Sequence, residues 1–394
     1  MNKLILKPHK ELSLGRHPWI FSGAIARVEG DPESGETVEV ESYNGDTIAL
    51  AAFSPSSSIR ARVWSFDPNE KIDEDFFRRR ITGAFRARDS FINDKNTNAY
   101  RIVYSEADLL PGLIADKYDN YIVIQILSSG AEKWRDTIVK ILAEIIKPAG
   151  IFERSEIDVR KLEGLEPRTG CLWGTEPEEK ITIVENGLKY VIDIKAGQKT
   201  GFYLDQRSNR FRVREFAAEK KILDAYSYTG GFAMNCLAAG AESVSVIESS
   251  AEALSLLETN VSLNGFGKKG LEVRQGNASE LFRKFRDEGR KFDMIILDPP
   301  KFAPTVASLD SAVRGYKDIN LLAMKLLTPG GVLFTFSCSG AMNIIRFIEM
   351  LGYAATDAGI DAQIIEFLSQ APDHPISPVF PESFYLKGCI LKIS

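Results

Sequence analysis

Met294-Ile-Ile-Leu-Asp-Pro-Pro-Lys-Phe302 (MIILDPPKF) joins four apolar residues to an acid, two prolines, a lysine and an aromatic. The apolar run reads as a strand buried on both faces, the pattern of a parallel sheet covered by helices. Pro299 and Pro300 cannot continue a hydrogen-bonded strand, so the chain breaks off just after Asp298. A carboxylate and a rigid, extended loop are thereby set at the carboxyl edge of a sheet, where open α/β folds place their ligands. Taken alone, the stretch is explained equally well as an acidic strand end before a proline turn. Its neighbours decide the matter.

Around it, apolar strand runs alternate with helical segments. KKILDAY, SVSVIES, LEVRQGN, FDMIILDPP and GVLFTFSCS read as strands. NCLAAG, AEALSLLETNVSLNG, ASELFRKFRDEG and YKDINLLAMKLLTPGG read as the helices between them, with a first helix expected over Ser208 to Ala218. That alternation predicts a parallel, doubly wound, Rossmann-like domain over residues 187–394. Residues 1–71 predict a small β-rich domain, with runs ETVEVES, DTIALAAFS and SIRARVWSF and an Asn44-Gly45 hairpin turn. Residues 72–186 predict a central α+β domain that opens on the helix DEDFFRRRITGAFRARDSF.

The chain has 394 residues, 44% of them hydrophobic and 26% charged, as expected for a soluble protein of two or three domains. With no apolar run long enough to cross a bilayer and no signal-peptide pattern, cytoplasmic residence without a membrane partner is expected. Four scattered cysteines and three histidines predict neither disulfides nor a metal site. A net charge of -5 argues against non-specific coating of nucleic acid. Two arginine-rich stretches nevertheless offer local basic patches: Arg78, Arg79, Arg80, Arg86, Arg88 and Arg101, then Lys199, Arg207, Arg210, Arg212 and Arg214. Arg16, His17, Trp19 and Phe21 form an aromatic-basic cluster suited either to stacking on bases or to a core.

The first strand-to-helix turn of the Rossmann-like domain is Asp224-Ala-Tyr226-Ser-Tyr228-Thr229-Gly230-Gly231. It lacks the GxGxxG fingerprint, with tyrosines where glycines would stand, so a pyrophosphate cradle is poorly supported. A cationic, phosphate-free cofactor suits Asp224 better. The next strand ends in Glu248, placed to accept from ribose hydroxyls, and the third leads to Asn277, whose amide can meet an adenine edge. Asp224, Glu248, Asn277 and Asp298 together outline S-adenosylmethionine. Tyr226, Thr229, Gly230 and Pro299 join them as expected contacts, and Lys199, Thr200, Phe202 and Tyr203 form a candidate lid before the domain.

The strand GVLFTFSCSG brings Cys338 to the neighbouring edge. Carbon 5 of a pyrimidine is a poor nucleophile until a thiolate adds at carbon 6, and Lys301 is a candidate for activating that thiol.

GQKTGFYLDQR, LDAYSYTGGFA, ILDPPKF, RGYKDINLLAMKLL and FTFSCSG, with DHP at 373–375, FYLKG at 384–388 and the GRHPWIFSGAI opening, carry a resemblance along essentially the whole chain. They resemble the bacterial large-subunit ribosomal RNA cytosine-C5 methyltransferases built from a PUA domain, a central domain and a Rossmann-like class I methyltransferase domain. The resemblance implies 5-methylcytidine in 23S rRNA as product, S-adenosylmethionine as donor and Cys338 as nucleophile. It also maps the family's cofactor motifs onto Asp224, Glu248, Asn277 and Asp298, and a homodimer through the PUA or central domains would be compatible with it. This chain departs at Asn277, where many relatives carry Asp. It departs from the wider RNA cytosine methyltransferases at Pro299 and Pro300, where a second cysteine often stands. Methylation of a base nitrogen by the Asp-Pro-Pro loop, a non-catalytic RNA-binding assembly role and a small-molecule substrate are the competing readings.

Overall fold

Apolar runs punctuated by glycine and proline decide where strands begin and end in this chain. The computed structural model describes residues 2–11, 15–92, 95–156, 158–267, 270–302 and 309–394. They fall into two compact units. The first contains Met1–Ile183, Ile192–Leu204 and Pro372–Ser383, and the second Val184–Val191, Asp205–Ala371 and Phe384–Ser394.

The first unit opens with six strands: β1 (Lys3–Leu6), β2 (Trp19–Phe21), β3 (Ile25–Glu29), β4 (Thr37–Glu41), β5 (Thr47–Phe53) and β6 (Ile59–Ser65). They form one sheet in the order β2-β6-β5-β4-β1-β3. Inward residues such as Leu4, Val38, Val40, Ala49, Ala61 and Val63 fill its core, following the alternation of half-buried strands. The turn between β4 and β5 differs from a two-residue hairpin. Only Gly45 takes a positive φ (91°), and Ser42 and Asp46 close a longer loop by a 2.8 Å backbone bond.

Helix α1 (Glu74–Ile92) follows, capped by Asp73, whose side chain accepts from the Phe76 N–H at 3.0 Å. It packs with helix α2 (Arg135–Ile146) on a five-stranded sheet of β7 (Ala99–Tyr104), β8 (Leu113–Tyr118), β9 (Tyr121–Ile126), β10 (Gly150–Ser155) and β11 (Arg168–Gly174). Trp64 and Ala52 of the first sheet share this core with Phe76, Phe77, Ile138 and Leu142. A hairpin of β12 (Lys180–Glu185) and β13 (Leu188–Asp193) then turns at Asn186-Gly187, where both residues have positive φ (49° and 80°).

The second unit carries β14 (Lys221–Ala225), α3 (Gly231–Ala238), β15 (Ser243–Glu248), α4 (Ala251–Leu263), β16 (Leu271–Gln275), α5 (Ala278–Asp287) and β17 (Phe292–Leu297). It continues with α6 (Leu309–Leu326), β18 (Leu327–Ser337), α7 (Ile344–Ala358), β19 (Ala362–Leu368) and β20 (Lys387–Ile393). The sheet order is β16-β15-β14-β17-β18-β20-β19.

Strands β14 to β18 run parallel, as the alternation predicts, but β20 enters antiparallel between β18 and β19. The sheet is therefore mixed. Leu327 already pairs with Phe292, and the ladder then shifts until Met294 meets Val332. The expected helix through LLTPGG thus stops at Leu326, because Pro329 cannot extend it and Gly330 takes φ 77°. The segment expected as one helix over 208–218 is two short ones, Arg207–Arg212 and Arg214–Ala217. Among the described residues, no helix is long and apolar enough to cross a membrane.

Candidate active site

The four strand ends β16, β15, β14 and β17 are adjacent in the sheet, so Asn277, Glu248, Asp224 and Asp298 lie along one carboxyl edge. The turn after β14 is strained. Tyr226 and Tyr228 have φ values of 62° and 50°, a left-handed region that aromatic residues rarely adopt. Three donors hold it: the N–H groups of Tyr226 and Ser227 to Ile247 O (2.9 and 3.2 Å), and that of Tyr228 to Glu248 Oε2 (2.9 Å). Gly230, at φ 85°, caps the start of α3, and a Cβ there would lie 2.8 Å from Leu257 Cγ. No other residue fits without moving Leu257.

Asp224 is fully buried. Its Oδ2 accepts from Ser227 Oγ (2.6 Å) and the Ala233 N–H (3.0 Å), which fixes the carboxylate against the start of α3. Burial pushes this carboxyl up to about 7, opposed by those two donors and reinforced by the charges of Asp298 and Glu248. Glu248 is itself pinned, since its Oε1 accepts from the N–H groups of Ser249 (2.7 Å) and Ser250 (2.9 Å). Asn277 caps α5, its Oδ1 accepting from Glu280 N–H at 3.2 Å, so the carbonyl half of its amide is already engaged.

Two buried atoms at this edge, Asp224 Oδ1 and Thr229 Oγ1, have no hydrogen-bond partner among the described residues. Buried polar atoms ordinarily find one. Converging carboxylates with an unspent oxygen suit a ligand that brings positive charge and hydroxyl or ammonium donors. S-adenosylmethionine, with its sulfonium, ammonium and ribose, fits that donor demand. Tyr226 lines the same turn, half-buried, and burial pushes its hydroxyl up to about 12.

Beyond β17 the edge changes character. Pro299 is buried, while Pro300 and Lys301 are exposed. Leu297 pairs with Thr335, so the residues just past β18 stand beside the Asp298 loop. Cys338 lies there, half-buried between the fully buried Ser337 and Ser339.

Two residues not singled out from the sequence complete this half. The ring of Tyr316, on α6, packs against Phe302 at 4.7 Å, and its hydroxyl lies 3.4 Å from Pro300 O and 3.5 Å from Ser339 Oγ. Burial raises its hydroxyl, and the Cys338 charge adds to this. Lys387, at the start of β20, is 2% exposed and donates to Ser339 O and Tyr385 O, both at 2.7 Å. Burial lowers its ammonium to about 8; Cys338 acts in the opposite direction and Lys301 in the same. A lysine opening the strand KGCILKI, whose other lysine, Lys392, is exposed, was the available signal.

Lys199, Thr200, Phe202 and Tyr203 belong to the first unit. There Thr200 and Phe202 are buried: Thr200 Oγ1 donates to Asp116 Oδ2 at 2.6 Å, and the Tyr118 hydroxyl lies 2.7 Å from Thr200 Oγ1. Asp116 in turn holds Arg101 at 2.7 and 2.8 Å. These two lid candidates are thus anchored inside the first unit. Lys199 and Tyr203 stay half-exposed, with the ammonium 4.7 Å from the ring centroid.

The arginine stretches are not open basic patches. Arg78 pairs with Glu74 (2.9 Å) and Glu144 (2.7 Å), Arg79 and Arg80 with Glu70, and Arg88 with Asp108 (2.6 Å). In the second stretch Arg210 is buried in a two-bond pair with Glu185, and Arg212 joins Glu366 and Glu215. Much of this charge is paired internally, partly through neighbours such as Glu70, Glu74 and Glu215 and partly through acids on other elements such as Glu144, Asp108, Glu185 and Glu366. The aromatic cluster is likewise tied down: Trp19 Nε1 donates to Glu106 at 2.7 Å and its ring meets Phe380 at 4.9 Å, though Phe21 remains exposed.

The fold and this carboxylate-lined edge define an S-adenosylmethionine-dependent methyltransferase. The family model of that description matches residues 144–380, and a PUA-like domain model matches residues 4–66. A structure from Streptococcus mutans assigned to the SAM-dependent methyltransferases has the same fold, with TM-score 0.85 and 21% identity over 100% of both chains. A second, solved in complex with SAH, has TM-score 0.86 and 20% identity over 100% of both chains. Relatives named ribosomal RNA large subunit methyltransferase I are closer in sequence. That of Aeromonas salmonicida is 48% identical over 98% of each chain, and that of Shewanella amazonensis 47% over 99% of each. The chain belongs to this family.

Proposed function

We propose that this chain methylates carbon 5 of a cytidine in large-subunit ribosomal RNA through a covalent adduct with Cys338. The observation that carries the reading is the placement of Cys338 among the four thiols. Cys236 and Cys389 are buried, and burial holds both in the thiol form, Cys389 pushed up to about 12. Cys171 is exposed on β11 of the first unit. Cys338 combines partial exposure with a place at the sheet edge beside Asp298-Pro299-Pro300. The ribosomal RNA substrate is supported by the names of the relatives.

Asp224, Glu248 and Asp298 would hold the cofactor's cationic and hydroxyl groups, with Tyr226, Thr229 and Asn277 beside them. Bound there, S-adenosylmethionine supplies an electrophilic methyl group on a positively charged sulfur. The protein's own part is to make carbon 5 nucleophilic. The Cys338 thiolate forms a bond to carbon 6, and the carbon 5–carbon 6 electron pair moves onto carbon 5. Once carbon 5 carries the methyl group, loss of its proton re-forms the double bond and expels the thiolate. Pro299 and Pro300 give this pocket a wall with little conformational freedom, and Asp298 would position the base or the cofactor. The base must leave its stack to reach the thiol.

The test is Cys338→Ala with ribosomal RNA as substrate and the product nucleoside identified by mass spectrometry. Methylation is expected to vanish while calorimetric S-adenosylmethionine binding is kept. Full activity would identify methylation of a base nitrogen instead, since that chemistry needs no thiol.

A further inference from the structure

We propose that Lys387 is the fixed counter-charge of Cys338, a buried ammonium that keeps the thiol in its thiolate form. The topology brings them together. β20 lies antiparallel beside β18, with Lys387 paired to Ser337, and the Lys387 ammonium is bonded to the carbonyl of Ser339, the residue after Cys338. A second bond, to Tyr385 O, fixes the ammonium from its own strand.

Taking an ammonium out of water without a counter-charge is costly, and neutral carbonyls compensate only in part. Among the described residues no carboxylate forms an ion pair with Lys387. The Tyr385 side chain turns to Asp205, its hydroxyl donating to Oδ2 at 2.5 Å. The anion that remains for the ammonium is the Cys338 thiolate, which acts on Lys387 against the effect of burial. The attraction is mutual: whatever Cys338 contributes to a charged Lys387, Lys387 contributes to a charged Cys338.

The groups that face this pair come from three further elements. Lys301, in the loop after β17, adds positive charge from an exposed position. Tyr316, on α6, presents a neutral hydroxyl raised by burial. Ser337 and Ser339, on and just after β18, present neutral hydroxyls. Lys387 is the buried cation of the set. It acts through Cys338, and is therefore a positioning residue rather than a catalytic one.

The use of the thiolate rests on the covalent reading, but the test does not. Cys338 alkylation by iodoacetamide is followed against pH in the cofactor-free protein by mass spectrometry of the Cys338 peptide, with Cys171 as an exposed reference. Wild type is expected to show a midpoint below the ~8.5 of an ordinary thiol. Lys387→Met should raise it by at least about one unit, slowing alkylation at pH 7 about tenfold, while Lys387→Arg retains the low midpoint. Calorimetric S-adenosylmethionine binding verifies that each variant is folded. A wild-type midpoint at or above ~8.5 overturns the proposal even if Lys387→Met does not fold. So does an unchanged midpoint in a folded Lys387→Met. Should Cys338→Ala retain methylation, the covalent reading fails and the alkylation result still stands or falls by itself.

Discussion

One sheet edge carries two electrostatic regimes. At β15, β14 and β17 the strand ends present Glu248, Asp224 and Asp298, and the charges of Glu248 and Asp298 add to the cost of ionising Asp224. At β18 and β20, a few ångströms along the same edge, they present a thiol, two serines and a buried ammonium. The first half is short of positive charge and the second is short of negative charge. The donor in methyl transfer is a cation, and the nucleophile must become an anion. Each half of the edge is thus polarised for the reactant it lacks, before either is bound, which is the preorganisation that makes electrostatic catalysis effective.

Asp224→Asn tests the acidic half and should have the largest effect. Removing the buried charge that faces a cationic ligand is expected to weaken S-adenosylmethionine binding about a hundredfold, the scale of a lost charge-assisted interaction. The ligand-free protein should respond in the opposite sense. The folded-state pKa of Asp224, about 7, lies above the ordinary 3.8, so its contribution to stability is fully present below 3.8 and is lost as pH rises through 7. At pH 8 the buried charge is a net cost, and the asparagine variant should melt at a higher temperature than wild type. Unchanged affinity by calorimetry would mean that the carboxylates serve the fold and not the ligand.

A smaller effect needs no mutation. If the cation prefers ionised Asp224, the affinity for S-adenosylmethionine should weaken about tenfold between pH 8 and pH 6, as the carboxyl takes up its proton. The same titration on Asp224→Asn should be flat. An equally steep curve in the variant would assign the dependence to another group.

The two halves were not equally legible in the sequence. The acidic half follows from local signals: apolar runs buried by a parallel sheet at β14, β15 and β17 and a more exposed edge strand at β16, each stopped by a proline, a glycine or a helix cap. Those signals put Asp224, Glu248, Asn277 and Asp298 in one row, which the strand order β16-β15-β14-β17 confirms. Cys338 could be placed because β18 follows β17 by one crossover. Lys387 could not, because the antiparallel entry of β20 between β18 and β19 joins residues far apart in the chain and leaves no periodic trace. The pairing within the arginine clusters was hidden for the same reason. Glu144, Asp108, Asp116, Glu185 and Glu366 neutralise them from other elements. Thr200 and Phe202 look like loop residues beside Gly201, yet Tyr118 and Asp116 draw them into the interior of the first unit.

Tyr316 sits where the two halves meet, and its substitution should be the mildest. Its hydroxyl reaches Pro300 O and Ser339 Oγ only at 3.4 and 3.5 Å, bonds at the long end of the useful range. Most of what it does for the site is steric, through the ring packed on Phe302. Tyr316→Phe keeps that ring and should slow methylation by only about threefold to tenfold, the worth of one weak hydrogen bond, with cofactor affinity unchanged. Tyr316→Ala removes the packing beneath the Asp298 loop and should lose far more. If the phenylalanine variant were as impaired as the alanine one, the hydroxyl itself would be handling a proton at the junction. The boundary between the acidic and basic halves would then be a reacting group rather than a spacer.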